Sequence, residues 1–215
     1  MRNTLSLSSE MFQTKVLGIA RSVWNYRLCF LADSATVLFL LYWEIGMRAR
    51  SWSWAALAFA GGYLIWTFTE YAFHRWIYHQ PDGIFGDGHR IHHEEPLDLI
   101  AMPWFMTTAT MFGIWYLGVI LPLPFLASCL AGWLTGFVWY SLVHHSLHHW
   151  HFRHPWLRRL EANHRVHHQF PDTNFGVTMR YWDRVFGTMH KKTRPREVPR
   201  EEEKLELSLA AGELP

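Results

Sequence analysis

The chain has 215 residues and a formal net charge of +2, so its length fits one domain and its charge is close to neutral. Histidine and tryptophan, with 15 and 13 copies, are far above ordinary usage. The two cysteines, Cys29 and Cys129, are too few for a disulfide framework or a thiolate zinc site. Both lie in apolar stretches, and we expect them to be buried as small hydrophobic residues. Residues 1–22 lack the compact apolar core of a cleavable signal peptide, so none is expected.

Two apolar segments in the first third of the chain are candidates for crossing a bilayer. Residues 28–47 contain Asp33 and Glu44, and we expect this segment either to span or to lie in the interface. Residues 51–73 carry a single charged residue, Glu70. Because about 20 apolar residues cross the hydrocarbon core, this second segment predicts a span.

A long uncharged stretch from Leu99 to about Val143 comes next. As a helix it measures roughly 67 Å, which is enough for two crossings. Pro122 and Pro124 lie near its middle, and proline disrupts a helix interior, so we expect the turn there. The sequence therefore predicts an all-α, membrane-embedded bundle of about four transmembrane helices.

This order of spans puts every histidine-rich stretch on the same side of the membrane. Twelve of the 20 Lys and Arg residues lie between Arg153 and Lys204, and four precede Leu28, whereas only Arg48 and Arg50 flank the opposite side. By the positive-inside rule the histidine side is cytoplasmic, in a bacterial inner membrane or the endoplasmic reticulum. The predicted division is a cytoplasmic or interfacial segment 1–27, a membrane-embedded domain 28–193, and a charged, poorly ordered tail 194–215.

The histidines are concentrated in four clusters. They are His74 and His79; His89, His92 and His93; His144, His145, His148, His149, His151 and His154; and His164, His167 and His168. Positions i, i+3 and i+4 share one face of a helix, so each His-x-x-His-His motif is expected to direct three imidazoles to a single point. His74 and His79 are about 140° apart on an α-helix, and we expect the helix to loosen or end there. His151, His154 and His190 are interpreted as ordinary polar or surface residues.

The number of convergent imidazoles predicts two metal ions. Imidazole binds zinc, iron, copper or nickel, and ten imidazoles are too many for one ion, since a zinc site takes four ligands. The Glu-x-x-His pattern of soluble di-iron bundles occurs once, at Glu161 and His164, and the His-Glu-x-x-His pattern of zinc proteases is absent. The remaining interpretation is a dimetal site held by histidines in a helical cap on the cytoplasmic face. A membrane metal buffer or a zinc-stabilised structural protein is the non-enzymatic alternative.

From Glu70 to Thr188 the chain resembles the fatty acid hydroxylase and sterol desaturase superfamily. The matching residues are the histidine motifs above together with Asn174–Thr178 and Trp182–Thr188. In that superfamily the histidines hold a non-haem di-iron centre that uses O2 and two electrons to hydroxylate or desaturate a lipid. The resemblance implies that the metal ligands are His74, His79, His89, His92, His93, His144, His148, His164, His167 and His168. His145 with His149 is an alternative register for the third cluster, and the sequence does not distinguish iron from zinc.

Within the superfamily, Pro-Leu-Asp at 96–98 and Met-Pro at 102–103 resemble the fatty acid 2-hydroxylase branch. That branch often has Tyr-Asp before the third cluster, where this chain has Tyr140 and Ser141; Tyr140 is the candidate catalytic side chain. The resemblance implies hydroxylation of a fatty acid or ceramide acyl chain, with C2 as the candidate position. A haem-carrying donor domain is fused to some relatives, and here we expect an external electron-donor protein of haem or iron–sulfur type. A sterol desaturase, sterol-methyl oxidase or carotenoid hydroxylase is the alternative within the superfamily.

Further side chains are assigned roles by type and place. The aromatic candidates for lining an acyl path, or else for membrane packing, are Trp104, Phe105, Phe137, Trp139 and Tyr140. The carboxylates expected to orient the imidazoles, or else to be solvated, are Glu94, Glu95, Asp172 and Asp183. In a helix predicted over residues 155–168, Arg158, Arg159 and Arg165 are expected to contact anionic headgroups or an acidic electron donor. The expected partners are thus a lipid, the membrane and the donor, and not nucleic acid.

Overall fold

A computed structural model describes residues 4–48 and 51–191 of the chain, with side chains described from residue 11 onward. All regular structure in these two ranges is helical. The α-helices are α1 (Thr4–Ala20), α2 (Val23–Leu41), α3 (Trp52–Phe73), α4 (Ile84–Glu94), α5 (Trp104–Ile120), α6 (Leu126–His149), α7 (Pro155–Gln169) and α8 (Tyr181–Val185). Two of them continue directly into π-helices: α2 into Tyr42–Met47 and α3 into His74–Tyr78. The predicted all-α class is confirmed, and the tail predicted over 194–215 lies outside the described residues.

Two helices in the described part of the chain are long and apolar enough to be candidate membrane spans. They are Val23–Met47, which includes the first π-helix, and Leu126–His149; Trp104–Ile120 is a shorter apolar helix. Helix α3, which was predicted to span, has 22 residues but is not one of these two candidates. Large apolar side chains point outward on these helices, and Leu31, Leu38 and Leu64 are each about two-thirds exposed.

Helices α3 and α6 form the centre of the bundle because glycines let their backbones touch. A Cβ atom added to Gly62 would lie 1.9 Å from the carbonyl oxygen of Cys129, and one added to Gly132 would lie 1.9 Å from that of Phe59. One helical turn further along α6, Gly136 accommodates the ring of Trp66. The two helices therefore have a fixed register. This register sets the relative positions, along the helix axes, of the histidines at their ends.

Helix α2 packs against α5 and α6 and runs antiparallel to α6. Leu40 packs with Leu130 and Ala131 in an apolar core at one end, whereas the rings of Tyr26 and His145 are 5.7 Å apart at the other. The turn between α5 and α6 lies at residues 121–125, which confirms the position predicted from the two prolines.

The segment between α4 and α5 is joined by hydrogen bonds and ion pairs to the junction of α1 and α2. Asn25 donates to the carbonyl oxygens of Ala101 and Met102 and accepts from the backbone N–H of Trp104. Arg21 pairs with Glu95 and Asp98 on the surface. These contacts hold α1 and α2 against one side of the elements that carry the histidines.

Candidate metal centre

The ten histidines predicted as ligands come together in two adjacent groups of five. The first group is His74, His79, His89, His93 and His167; the second is His92, His144, His148, His164 and His168. Within each group the candidate ligating nitrogens all lie within 4.8 Å of one another. The groups share a border, where the rings of His93 and His168 stack with centroids 4.3 Å apart.

Each His-x-x-His-His motif divides its histidines between the two groups, so the expectation that all three would meet at a single point is wrong. On α4, His89 and His93 belong to the first group and His92 to the second. On α7 the division is reversed, because His164 and His168 belong to the second group and His167 to the first. Positions i and i+4 are only about 40° apart around a helix, whereas i+3 lies about 60° to the other side of i. A motif on a helix between two points can therefore serve both.

A π-helix brings His74 and His79 to the same group. These residues are five apart, and α3 changes at His74 from i→i+4 to i→i+5 hydrogen bonding before ending at Tyr78. The wider turn places residues five apart on nearly the same face, and the two rings stack at 5.3 Å. The predicted loosening of the helix at this point is confirmed.

The third cluster contributes His144 and His148, whose Nε2 atoms lie 3.3 Å apart. The alternative pair, His145 and His149, stack on each other with ring centroids 4.3 Å apart and are outside both groups. The geometry thus favours the first register. His151, His154 and His190 are also outside the groups, as expected of ordinary polar residues.

Two of the imidazoles are oriented by backbone carbonyls. His74 Nδ1 is 2.5 Å from the carbonyl oxygen of Phe175, and His167 Nδ1 is 2.8 Å from that of Thr173. Only a protonated Nδ1 can donate to a carbonyl, so each ring carries its hydrogen there and presents an unprotonated Nε2 to the first group. Such partners fix the tautomer and the orientation of metal-binding histidines.

The loop that supplies these carbonyls is held by two buried carboxylates. Asp183, which is fully buried, accepts hydrogen bonds from the backbone N–H groups of Phe175 and Gly176. Glu70 accepts from the backbone N–H groups of Val177 and Thr178 and from the Thr178 hydroxyl. Asp183 was one of the predicted orienting carboxylates, and it acts through the loop and does not touch an imidazole. Glu70 was predicted only as the single charged residue of a span. Nothing in its sequence neighbours indicates a partner 107 residues away.

The other predicted orienting carboxylates do not contact the imidazoles. Glu94 and Glu95 are exposed, and Glu95 pairs with Arg21. Asp172 is exposed as well, although its charge acts on His79 at a distance. The two helix-end glutamates face solvent because His92 and His93 occupy the inward side of the last turn of α4.

The electrostatics of the site keep the imidazoles neutral. Burial, with a further contribution from neighbouring imidazoles, lowers the pKa of His92 to about 2, of His93 and His167 to about 3, and of His168 to about 4. A neutral imidazole has a free lone pair, which is the form that binds a metal. His92 Nε2 is buried with no hydrogen-bond partner among the described residues. Ten neutral, inward-facing nitrogen donors in two groups fit two metal ions.

A cavity of about 160 Å³ adjoins the second group and leads from it between α2 and α6. Its walls include Phe137 and Tyr140, as predicted, and the Tyr140 ring lies 5.5 Å from that of His144. The other three aromatic candidates, which are Trp104, Phe105 and Trp139, do not line it and are each about 40% exposed on the outer surface of their helices. Cys29 also lines the cavity. Both cysteines are free thiols that are only half-buried, so the expectation that they are buried is wrong.

The all-helical fold and the two histidine groups are consistent with a dimetal site. The comparisons with known proteins give the family. Residues 59–188 match the model of the fatty acid hydroxylase family, and the chain belongs to that family. A dihydroceramide fatty acyl 2-hydroxylase of Arabidopsis thaliana is 33% identical over 63% of this chain and 61% of its own length. A second one from the same plant is 30% identical over 78% of this chain and 71% of its own length.

Two more comparisons extend this result. The fatty acid 2-hydroxylase of Mus musculus is 28% identical over 77% of this chain, which spans only about half, 48%, of that relative. A solved structure of full-length scs7p, in which only the hydroxylase domain is visible, superposes with a TM-score of 0.64 at 29% identity. This match covers 78% of the present chain and 68% of the other.

Proposed function

We propose that this protein is a membrane-bound di-iron oxygenase that hydroxylates the acyl chain of a lipid. The observation that carries the proposal is the pair of five-histidine groups at the end of an apolar cavity. The overall reaction inserts one atom of O2 into a C–H bond and releases the other as water, using two electrons and two protons. Bound iron would supply the activation of O2, and the protein supplies orientation and exclusion of side reactions.

The ligands in this proposal are the ten histidines of the two groups, one metal ion to each group. Five imidazoles exceed the four ligands that a structural zinc site takes, which favours a metal ion of higher coordination number, such as iron. The ligand hydrogen bonds to Phe175 and Thr173 hold two rings in place without any contribution from the metal. Tyr140, next to His144 in the cavity wall, is the side chain best placed to contact the reacting part of the lipid.

The substrate proposed is an acyl lipid of the fatty acid or ceramide kind, attacked at C2. Support comes from the apolar cavity between α2 and α6, which an acyl chain can enter from the bilayer, and from the names of the relatives, which include dihydroceramide fatty acyl 2-hydroxylases.

The remaining parts of the proposal concern topology and the electron supply. The histidine face is cytoplasmic, with α2, α3, α5 and α6 in the membrane, as the apolar exterior and the positive residues favour. Electrons come from an external haem or iron–sulfur protein. Arg158 and Arg159, which are exposed on α7, the helix that carries the fourth histidine cluster, provide a basic surface for it. Arg165 is less available, because it pairs with Glu161 at 2.8 Å.

Mass spectrometry of total lipids tests this function after expression of the chain in a host that lacks the activity. We expect 2-hydroxy acyl lipids with the unmodified chain and none with His92→Ala, whereas His151→Ala, which changes an exposed histidine outside both groups, should keep the product. If the lipids stay unchanged although the protein is loaded with iron and supplied with a reductant, a non-enzymatic metal protein would be favoured. If oxidised sterols or carotenoids appear instead, the protein would be a sterol- or carotenoid-oxidising member of the superfamily.

A further inference from the structure

Helix α2 carries a buried carboxyl group that no contact in the bundle explains. Asp33 is 3% exposed, and its Oδ1 has no hydrogen-bond partner within the described residues. Burying a polar group without a hydrogen bond is costly. Ionisable side chains in membrane helices are rare, face the bundle interior or a water-filled cavity, and commonly mark the path of a substrate or ion. Asp33 lines the cavity that leads to the histidines.

The position of Asp33 along the cavity follows from helix geometry. Tyr26, whose ring lies 5.7 Å from that of His145, marks the histidine end of α2. Asp33 lies seven residues further on, two turns and roughly 10 Å along the axis, so it is on the same face of the helix. Val138 and Ser141 of α6 line the same cavity.

Two other polar groups that line the cavity are already paired elsewhere. The Ser141 hydroxyl donates to the carbonyl oxygen of Phe137 in its own helix. The Cys29 thiol, one turn before Asp33, donates to the carbonyl oxygen of Met102. The Asp33 Oδ1 atom is therefore without a partner among the described residues, and a donor group on a molecule in the cavity would satisfy it.

We propose that Asp33 is a substrate-binding residue whose carboxyl accepts a hydrogen bond from an O–H or N–H group of the lipid. This inference rests on the proposed function, since it assigns a contact to the lipid hydroxylated there. It selects an acyl lipid whose polar part carries a donor within roughly 10 Å of the histidine end of the cavity. The carboxylate of a free fatty acid offers no such donor.

Lipid binding to the full chain in detergent, measured by native mass spectrometry, tests the inference. The two probes are an N-acyl amino-alcohol lipid and its analogue in which methyl groups replace the O–H and N–H hydrogens. We expect the unmodified chain to retain the donor-bearing lipid on the order of 10-fold more tightly, because the loss of a hydrogen bond to a buried acceptor has about this effect. In Asp33→Leu the preference should vanish. This variant should fold, since it removes an unpaired buried carboxyl.

Thr36→Val is the matched control. Thr36 is as buried as Asp33 on the same helix, but its hydroxyl donates to the carbonyl oxygen of Ala32 and it does not line the cavity. It should keep the full preference of the unmodified chain. Equal binding of the two probes by the unmodified chain, or a preference retained in Asp33→Leu, would overturn the inference.

Kinetics separate this inference from the proposed function. With iron, O2 and a reductant supplied, we expect Asp33→Leu to raise KM for the donor-bearing lipid on the order of 10-fold with little change in kcat, as for loss of a binding contact. If the unmodified chain hydroxylates neither lipid, the proposed function fails, and the binding measurement alone still decides the role of Asp33.

Discussion

Both imidazoles that donate to the backbone, His74 and His167, donate to carbonyls of the same loop, so the position of that loop decides how two ligands of the first group are aimed. The loop has little regular structure of its own. The backbone N–H groups of residues 175–178 are instead satisfied by two carboxylates, Asp183 and Glu70, which come from different helices. At the scale of the residue, the site thus depends on acceptors that do not touch a ligand.

Asp183→Asn tests this dependence. The amide replaces one acceptor oxygen with a donor that faces a backbone N–H group, so we expect a loss of about 1–3 kcal/mol in the free energy of unfolding. Because the loop then holds Phe175 less firmly, the variant should also lose metal during dialysis faster than the unmodified chain.

Thermal unfolding in detergent and metal retention measure the two effects. The control is Asp82→Asn, which changes an exposed aspartate between the first and second histidine clusters and should leave both unchanged. A variant at Asp183 as stable and as metal-retentive as the unmodified chain would show that the loop is not held by this carboxylate.

At the scale of the element, the close approach of α3 and α6 sets the heights of the histidines that end those helices. Adjacent glycines give a matched test. A Cβ at Gly62 meets the backbone oxygen of Cys129 at 1.9 Å, whereas one at Gly61 meets nothing within 4 Å. Gly62→Ala should therefore push the helices apart and reduce the yield of folded, metal-containing protein severely. Gly61→Ala should be neutral or should stabilise by roughly 0.5–1 kcal/mol, since alanine favours a helix.

Detergent-solubilised yield and metal content per chain are the measurements for this glycine pair. Backbone atoms cannot be displaced as the end of a flexible side chain can, so we expect no rescue by repacking. Similar yields for the two variants would mean that the helices are further apart in the protein than their glycines indicate.

The helices and their histidines could largely be predicted from the sequence, since spacing alone identifies which faces carry imidazoles. The turn at the two prolines, the helix from Pro155 and the loosening at His74 all follow from local rules. The division of each motif between two groups could not be predicted, because it depends on where α4 and α7 lie relative to both groups. The role of Glu70 likewise depends on a contact with Val177 and Thr178, far along the chain.

At the scale of the whole molecule, the account requires the histidine end and the turn between α5 and α6 to lie on opposite sides of a membrane. Single cysteines in a background without Cys29 and Cys129 test this in sealed vesicles. We expect a membrane-impermeant thiol reagent to label His151→Cys only from the cytoplasmic side and Leu123→Cys only from the other. Both native residues are exposed, so access to the reagent is not limited by packing. Labelling of both positions from one side would contradict the proposed topology.

The central claim is that ten imidazoles hold two metal ions, and the metal content of the purified full chain, measured by inductively coupled plasma mass spectrometry, tests it most directly. We predict two ions per chain. His79→Ala and His148→Ala each remove one ligand, from the first and the second group respectively, and should lose metal markedly. His149→Ala changes the residue next to His148 that lies outside both groups, and it should lose none. One ion or none in the unmodified chain, or equal losses at His148 and His149, would contradict the account.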